Sequence, residues 1–259
     1  MRLKATRSGN VAGDVLLSIR NLNLSFGGVK ATDDVTMDLR SGIVTTLIGP
    51  NGAGKTTLFN QITGHLTPDS GEVSWLGESV LGHRPYTIAR RGIARTFQDL
   101  RLFQEMTVEE NVLTVMETSS LPFSFTGPSR AEKRARVEEV LTRVGLIDKR
   151  GVTAIDLSYA ERKFLSMARI MATKARLWLL DEPASGLDPH SYELFLRILR
   201  EEVATGVTVC IIEHNLDIVV QISDRIAFLD RGRLLADGDP QEVLDDPALA
   251  AIYFGDRAA

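Results

Sequence analysis

The stretch from Gly49 to Thr57, GPNGAGKTT, has the residue types and the spacing that bind phosphate. It follows the Gly-x4-Gly-Lys-Thr pattern of the phosphate-binding P-loop. Phosphate oxygens need many close donors, and a glycine-rich backbone can wrap around them. Lys55 is placed to reach the β- and γ-phosphates, and the Thr56 hydroxyl is placed to ligate Mg²⁺. The expected nucleotide-binding residues of this loop are Gly49, Pro50, Asn51, Gly52, Ala53, Gly54, Lys55, Thr56 and Thr57.

Two acidic residues, Asp181 and Glu182, directly follow an apolar run over residues 177–180. Open α/β sheets bind their ligands at such strand ends, and a charge there is costly to bury unless it has a task. Asp181 is suited to hold Mg²⁺, directly or through water, and Glu182 is suited to orient and deprotonate an attacking water. A strand-end acid that only faces solvent is the alternative, and the P-loop earlier in the chain weighs against it.

Three further side chains are candidates for the same chemistry. His214 ends the next apolar run and could donate to the γ-phosphate, although a lone histidine is more often structural. Gln98 could contact Mg²⁺ or the attacking water. Phe26 could stack on adenine, and a core phenylalanine is nearly as good an explanation of it.

The elements that must position these residues alternate along the chain. A β-branched run over residues 43–48 predicts a buried strand before the P-loop, and apolar residues at helical spacing predict a helix after it that stops near Gly64. Later runs over residues 177–180 and 207–212 predict further strands with a helix between them. Such alternation predicts a mainly parallel sheet with right-handed crossovers.

The rest of the chain adds two units to this core. Runs over residues 16–20, 35–39 and 73–76 predict strands of a flanking antiparallel sheet. Residues from about 86 to 156 have helical character, with a capping box at Thr107 and Glu110, and predict an inserted helical subdomain. The expected fold is α/β, a P-loop NTPase core with these two additions in a single domain over residues 1–259.

Composition excludes several classes of protein. A net charge of −4 argues against a general nucleic-acid binder, which would usually be basic. One cysteine, Cys210, rules out an internal disulfide, and its apolar surroundings predict a buried structural thiol. No apolar run reaches the ~18 residues that span a bilayer. Arg2, Lys4 and Arg7 precede no apolar segment, so we expect a frayed tail and not a secretory signal.

Taken together and in this order, the motifs resemble those of the nucleotide-binding subunit of an ABC transporter, over about residues 16–255. The matching features are Phe26, the P-loop, Gln98, LSYAE from Leu157 to Glu161, LWLLDEP from Leu177 to Pro183, SGLD from Ser185 to Asp188, and His214. As a set they are highly specific for ABC ATPases.

Three longer stretches are similar to those of one group within this family. Residues 92–112, residues 222–243 and the ending DDPALAAIYFG resemble the ATP-binding subunits of branched-chain amino acid importers. Close relatives import urea, short amides and other hydrophobic amino acids. The resemblance therefore implies an importer subunit whose solute is not encoded in this chain.

The resemblance also implies an assembly. It predicts a head-to-tail dimer, with the same chain or with a second ATPase subunit, that holds two ATP molecules with Mg²⁺ at its interface. Ser158 would contact the partner's γ-phosphate in trans, and Asp188 would couple the two sites. The surface around Gln98 and the helical subdomain would dock on membrane-embedded permease subunits, which receive solute from a binding protein. The chain would then lie peripherally on the cytoplasmic face of the inner or plasma membrane.

The stretch LSYAERK, from Leu157 to Lys163, corresponds to the family's signature motif and departs from its usual pattern at two positions. Ala160 replaces a glycine that faces phosphate at a helix N-terminus, and Arg162 adds a charge where a neutral amide is usual. One hypothesis is tolerated variation with slower hydrolysis, because the backbone donors survive. The other is asymmetry, in which a partner with an intact signature keeps this chain's own P-loop site active.

Two rival functions remain open. A non-transport ABC protein of translation or DNA repair usually has two cassettes or a long coiled coil, and this chain has one cassette without sustained heptads. A regulatory, weakly hydrolysing subunit of an asymmetric heterodimer is compatible with Ala160.

Overall fold

The computed structural model of this protein describes residues 13–116 and 129–254. The basic residues Arg2, Lys4 and Arg7 lie outside the described part of the chain. The strands, in chain order, are β1 (Val15–Phe26), β2 (Val29–Arg40), β3 (Val44–Ile48), β4 (Ser70–Trp75), β5 (Glu78–Ser79), β6 (Ile93–Arg95), β7 (Leu177–Asp181), β8 (Thr208–Ile212), β9 (Arg225–Asp230) and β10 (Arg233–Gly238).

The helices lie between and beside these strands. In chain order they are α1 (Lys55–Ile62), α2 (Pro85–Arg90), α3 (Val108–Met116), α4 (Arg130–Arg143), α5 (Tyr159–Ala172), α6 (Pro189–Ala204), α7 (Leu216–Ile222), α8 (Pro240–Leu244) and α9 (Pro247–Phe254). Two short 3₁₀ turns, Ile147–Lys149 and Ala154–Asp156, connect α4 to α5. No helix within the described ranges is both long enough and apolar enough to cross a membrane.

The larger sheet has the order β10-β9-β3-β8-β7-β6. All its neighbouring pairs are parallel except the β9–β10 hairpin. Its central strands are buried on both faces because helices cover them, which explains their continuous β-branched and apolar runs. The expectation of a mainly parallel α/β sheet is confirmed. As a result, the carboxyl ends of β3, β7 and β8 meet at one edge.

A second, antiparallel sheet has the order β2-β1-β4-β5. Strands β1 and β2 are joined at Gly27 and Gly28, both of which have positive φ angles, as a tight turn requires. Leu17, Ile19 and Val35 of this sheet are fully buried in a cluster that also contains Phe59 of α1. The antiparallel sheet therefore packs against the P-loop helix, as the sequence predicts.

Helices α3, α4 and α5 form a separate apolar cluster with the other face of the large sheet. Val112, Val140 and Leu165 are completely buried within it, beside Trp178 of β7. The stretch expected to be helical from about residue 86 also contains β6, which pairs in parallel with β7. This edge strand was not predicted, because three residues are too few to show a strand period.

The single thiol of the chain lies in the core. Cys210 is buried in the middle of β8, and this burial raises the pKa of its thiol far above the usual range. The prediction of a structural thiol is confirmed by this position, because a thiol held in its protonated form is a poor nucleophile.

Candidate nucleotide-binding site

The P-loop joins the end of β3 to the start of α1, so the helix N-terminus points into the loop. Gly54 precedes α1 with a φ angle of 101°, and no side chain caps the helix. The first N–H groups of a helix have no partner inside the helix, and they carry the positive end of its dipole. An uncapped N-terminus inside a glycine-rich loop is therefore a site prepared for an anion such as phosphate.

Glycine is required in this loop for two different reasons. A Cβ atom on Gly49 would lie 1.9 Å from the carbonyl oxygen of Leu229, and one on Gly54 would lie 2.1 Å from that of Ala31. A Cβ atom on Gly52 would meet nothing within 4 Å, but the φ angle there is +81°. The loop is thus packed against the protein on one side and open on the side where a ligand would lie.

The Lys55 side chain is folded over the loop. Its ammonium donates hydrogen bonds to the carbonyl oxygens of Gly49, at 2.7 Å, and Pro50, at 2.9 Å. Burial lowers the pKa of Lys55, while the carboxylates of Glu182 and Asp181 raise it in part. The P-loop lysine and the two acids at the end of β7, Asp181 and Glu182, therefore share one electrostatic environment.

Asp181 ends β7 with its side chain almost fully buried. Burial raises the pKa of its carboxyl group, and the Arg95 guanidinium, 3.4 Å away, offsets part of this rise. The N–H of Asp181 donates to the Thr96 hydroxyl, and Arg95 also donates to Asn60 of α1. Arg95 and Thr96 were missed by sequence analysis, although they lie close to Gln98.

Two predicted residues, His214 and Gln98, meet at the Glu182 carboxylate. The Nε2 atom of His214 lies 2.9 Å from Oε1 of Glu182, and the Nε2 atom of Gln98 lies 3.5 Å from its Oε2. Glu182 itself has a φ angle of +48°, an uncommon value for a residue with a side chain. The structure brings together residues from the segment after β8, the segment after β6 and the turn after β7. A carboxylate with two polar partners therefore faces the loop region.

The signature residues lie at the start of α5. Ser158 is the N-cap of this helix, where its hydroxyl and the Glu161 side chain form a reciprocal capping box. Glu161 also pairs with Lys149 at 2.5 Å. The guanidinium of Arg162 donates to the carbonyl oxygens of Leu157 and Ile155, so its charge is directed to the preceding chain.

Three predicted residues remain outside this cluster of side chains. Within residues 13–116 and 129–254, the hydrogen bonds of Ser158 are made with its own helix. Asp188 caps α6 by accepting from the N–H groups of His190 and Ser191. Phe26 ends β1 and is half exposed. All three side chains are therefore accessible to a ligand or a partner, and none is occupied by core packing.

The donor set suits a nucleotide with a hard divalent cation. Mg²⁺ prefers oxygen ligands, and Thr56 offers a hydroxyl, Asp181 a carboxylate and Gln98 an amide oxygen. Thr56 is an exposed residue in the first turn of α1, at the mouth of the loop. Burial of Asp181 is only partly offset by Arg95, so a cation near this carboxylate would be favourable.

Comparison with protein families supports the nucleotide site. The family model described as "ABC transporter" matches residues 32–185, which include the P-loop, the signature and the strand-end acids. The chain is 38% identical over 250 residues to the high-affinity branched-chain amino acid transport ATP-binding proteins BraF of Pseudomonas aeruginosa and LivG of Escherichia coli. Each alignment covers 93% of this chain and 98% of the relative.

A more distant relative has another transport role. The lipopolysaccharide export system ATP-binding protein LptB of Acidithiobacillus ferridurans is 34% identical and covers 93% of this chain. Among solved structures, a nucleotide-free ATP-binding cassette from an ABC transporter has a TM-score of 0.83 with 32% identity. This alignment covers 93% of the present chain and 100% of the solved cassette. The ADP conformation of an ATP-binding cassette of an ABC transporter has a TM-score of 0.82 with 32% identity.

Proposed function

Because this chain belongs to the ABC transporter family, whose ATP-binding subunits hydrolyse ATP, we propose that it powers an importer for branched-chain or other hydrophobic amino acids. The observation that carries the proposal is the convergence of Lys55, Asp181, Glu182 and His214 at the mouth of the P-loop. The amino-acid substrate is supported by relatives of that name which align over 93% of the chain.

In this proposal the chain's own residues bind ATP and prepare a water molecule for attack. The N–H groups of the loop and the Lys55 ammonium bind the phosphates, and Phe26 stacks on adenine. Thr56, Asp181 and Gln98 would hold Mg²⁺, which neutralises charge on the phosphates when it is bound. Glu182 accepts a proton from the attacking water, a role worth about 10²–10⁴ in rate.

His214 orients that carboxylate. Its Nε2 atom is within hydrogen-bond distance of Glu182, so the imidazole fixes one oxygen and leaves the other toward Gln98. A γ-phosphate that reached His214 would compete for the same Nε2 atom. This competition would link the presence of ATP to the orientation of Glu182.

We expect the active form to be a dimer with a second ATPase subunit, identical or different. Ser158 and Tyr159 are exposed and the rest of the first turn of α5 is half-buried, so another subunit's nucleotide could approach this helix start. Asp188 caps α6 at the end of the segment that follows Glu182. The hydroxyl of Ser158 is already paired within its capping box, so the N–H groups of the first turn would be the additional donors.

Permease subunits are the proposed membrane partners, with a solute-binding protein as an indirect one. A groove of about 380 Å³ lies between α2, β6 and α5 and is lined by apolar and aromatic residues such as Tyr86, Phe97 and Ile170. Apolar grooves of this kind are where protein partners commonly dock. This docking would place the chain peripherally on the cytoplasmic face of the membrane.

The experiment is reconstitution of the chain with its neighbouring permease and ATPase subunits in proteoliposomes. ATP-dependent uptake of labelled leucine that is lost with Glu182→Gln supports the proposal. Uptake of urea or short amides in place of leucine would move the substrate to that class. ATP hydrolysis without uptake of any of these solutes would contradict the importer function.

A weakly hydrolysing regulatory subunit is the second candidate, and Ala160 at the start of α5 favours it. The two are separated by Mg-ATP hydrolysis of the purified chain, alone and with the second ATPase subunit. Turnover by the chain alone supports a working homodimer. Turnover that requires the partner supports the asymmetric dimer, and ATP binding without turnover in both cases supports the regulatory function.

A further inference from the structure

The turn from Glu182 to Ser185 is held by two buried charged side chains from different elements. The Lys163 ammonium, on α5, donates to the carbonyl oxygens of Glu182 at 2.8 Å, Pro183 at 3.3 Å and Ser185 at 2.5 Å. Ala184 is the remaining residue of this turn, and its N–H donates to the carboxylate of Glu213, just after β8, at 3.3 Å. The main chain of this turn is therefore held at its carbonyl oxygens by Lys163 and at one N–H group by Glu213.

Glu213 also binds the main chain at His214. Its second oxygen accepts from the N–H of His214 at 3.1 Å. One carboxylate thus joins the backbone of the Glu182 turn to the backbone at His214, whose side chain meets Glu182 at 2.9 Å. The side-chain contact between Glu182 and His214 is therefore accompanied by a main-chain connection through Glu213.

Burial makes these two charges expensive unless they are fully engaged. Lys163 is 7% exposed and Glu213 is 3% exposed. A buried charge loses its water, and hydrogen bonds to several main-chain groups are needed to offset that loss. Two apolar side chains would fill the same space without the desolvation cost of two charges. We therefore infer that the charged groups serve to hold the main chain in one geometry. The positive φ angle of Glu182 is the strained feature that they hold.

Lys163 also connects this turn to the signature. It lies on the second turn of α5, whose N-cap is Ser158. A helix is rigid over so short a distance, so a shift of α5 caused by contact at Ser158 moves the Lys163 ammonium and with it the carbonyl oxygens of the Glu182 turn.

We propose that Lys163 and Glu213 are positioning residues for ATP hydrolysis: they fix the Glu182 carboxylate against His214 and transmit movement of α5 to it. This inference rests on the roles proposed for Glu182 and His214. It predicts that the two residues affect the rate of the chemical step and leave ATP binding intact, because neither touches the P-loop. A misplacement of the order of 1 Å can cost about 10²-fold in rate.

The test compares Glu213→Gln, Lys163→Met and the double variant in the active dimer, measuring kcat, KM for ATP, ATP affinity and melting temperature. We expect kcat to fall about 10- to 100-fold with ATP affinity within about twofold of wild type. The double variant should be no slower than the slower single variant, because both residues act on one turn. Lys163→Arg, which keeps the charge and several donors, should restore most of the rate.

The matched control is Glu202→Gln, a buried carboxylate on α6 that is 7% exposed and pairs with Arg143 away from the site. It should lower the melting temperature and leave kcat unchanged. An unchanged kcat in Glu213→Gln, or a fall in kcat equal to the loss of ATP affinity, would overturn the inference. Glu213→Asp carries the same test if Glu213→Gln does not fold, because the shorter side chain cannot span both N–H groups.

Glu182→Gln distinguishes this inference from the proposed function. If Glu182→Gln abolishes turnover and Glu213→Gln turns over at the wild-type rate, the positioning role fails and the function of Glu182 stands. If Glu182→Gln itself turns over at the wild-type rate, both are overturned.

Discussion

The Nε2 atom of His214 lies 2.9 Å from the Oε1 atom of Glu182, although the two residues follow different strands of the large sheet. Strands β7 and β8 are adjacent and parallel, so the residues after them share one edge. At this distance the imidazole can donate to the carboxylate and hold it in one orientation. The pair is therefore a unit, and its two members should not act independently.

We predict that Glu182→Gln lowers the rate of ATP hydrolysis by about 10²–10⁴ because the amide cannot accept a proton from water. His214→Ala should lower the rate by a smaller factor, since it removes only the orienting contact. The double variant should match Glu182→Gln alone, as expected for coupled residues. Phosphate release and equilibrium ATP binding are the measurements, and additive losses in the double variant would contradict the pairing.

The glycines of the P-loop should respond differently to the same substitution. Gly49→Ala places a Cβ atom 1.9 Å from a backbone oxygen, so we predict that this variant does not fold. Gly52→Ala meets open space and carries only the strain of a positive φ angle, about 1–2 kcal/mol. It should fold, melt a few degrees lower and lose ATP affinity, because its methyl group faces the ligand side of the loop.

Circular dichroism and ATP titration separate these two outcomes. If Gly49→Ala folds, the backbone at Leu229 must be able to move away from the added methyl group, which close packing of the loop should prevent. A folded Gly52→Ala that keeps wild-type ATP affinity would show that the open side of the loop is not where phosphate binds.

The chain provides its own control for the alanine in the signature. Helices α4 and α5 both begin with a serine N-cap and a capping box, and each has an alanine one residue before the glutamate of the box, Ala131 and Ala160. We predict that Ala160→Gly raises kcat of the dimer up to about tenfold, by removing a methyl group from the surface that faces the partner's nucleotide. Ala131→Gly should leave kcat unchanged.

Both alanine variants should be destabilised alike. Glycine near a helix start costs up to about 1 kcal/mol relative to alanine, so the melting temperatures should fall by a similar few degrees. Equal kcat values for Ala160→Gly and wild type would show that the methyl group does not slow hydrolysis. Such a result would favour tolerated variation over asymmetry.

Sequence patterns predicted the large sheet and the P-loop well because each depends on local order. The β-branched run of β3, the glycines and Lys55 are neighbours in the chain, and a helix start must follow them. Asp181 and Glu182 were also identifiable, since an acidic pair after an apolar run is a local pattern.

The residues that support the site left no such pattern. Arg95 is 86 positions from Asp181, and Glu213 is 29 positions from Ala184. Lys163 and Glu213 bind main-chain atoms, which are present at every position and so place no constraint on the type of the partner residue. Only the packing of α5 against the strand ends reveals what these side chains hold.

The pH dependence of stability should include a contribution from His65. Partial burial of its ring, together with the charges of Arg95 and Arg101, lowers the pKa of His65 below its ordinary value of 6.5. As the pH falls below 6.5, the unfolded chain takes up this proton before the folded chain does, so the free energy of unfolding falls. Solvent screens the effect because the residue is exposed in part.

We therefore predict that His65→Gln loses less stability than wild type between about pH 7.5 and about pH 5.5, roughly one unit on each side of the ordinary histidine pKa. Glutamine can keep a hydrogen bond to Thr63, whose hydroxyl lies 2.9 Å from His65 Nδ1. Urea unfolding at the two pH values measures the difference, with His190→Gln as the control for removing a surface histidine. A pH dependence in His65→Gln equal to that of wild type would show that the folded protein does not disfavour the His65 proton. Placing a positive charge in the groove beside His65 would then cost no more free energy than placing it in solvent.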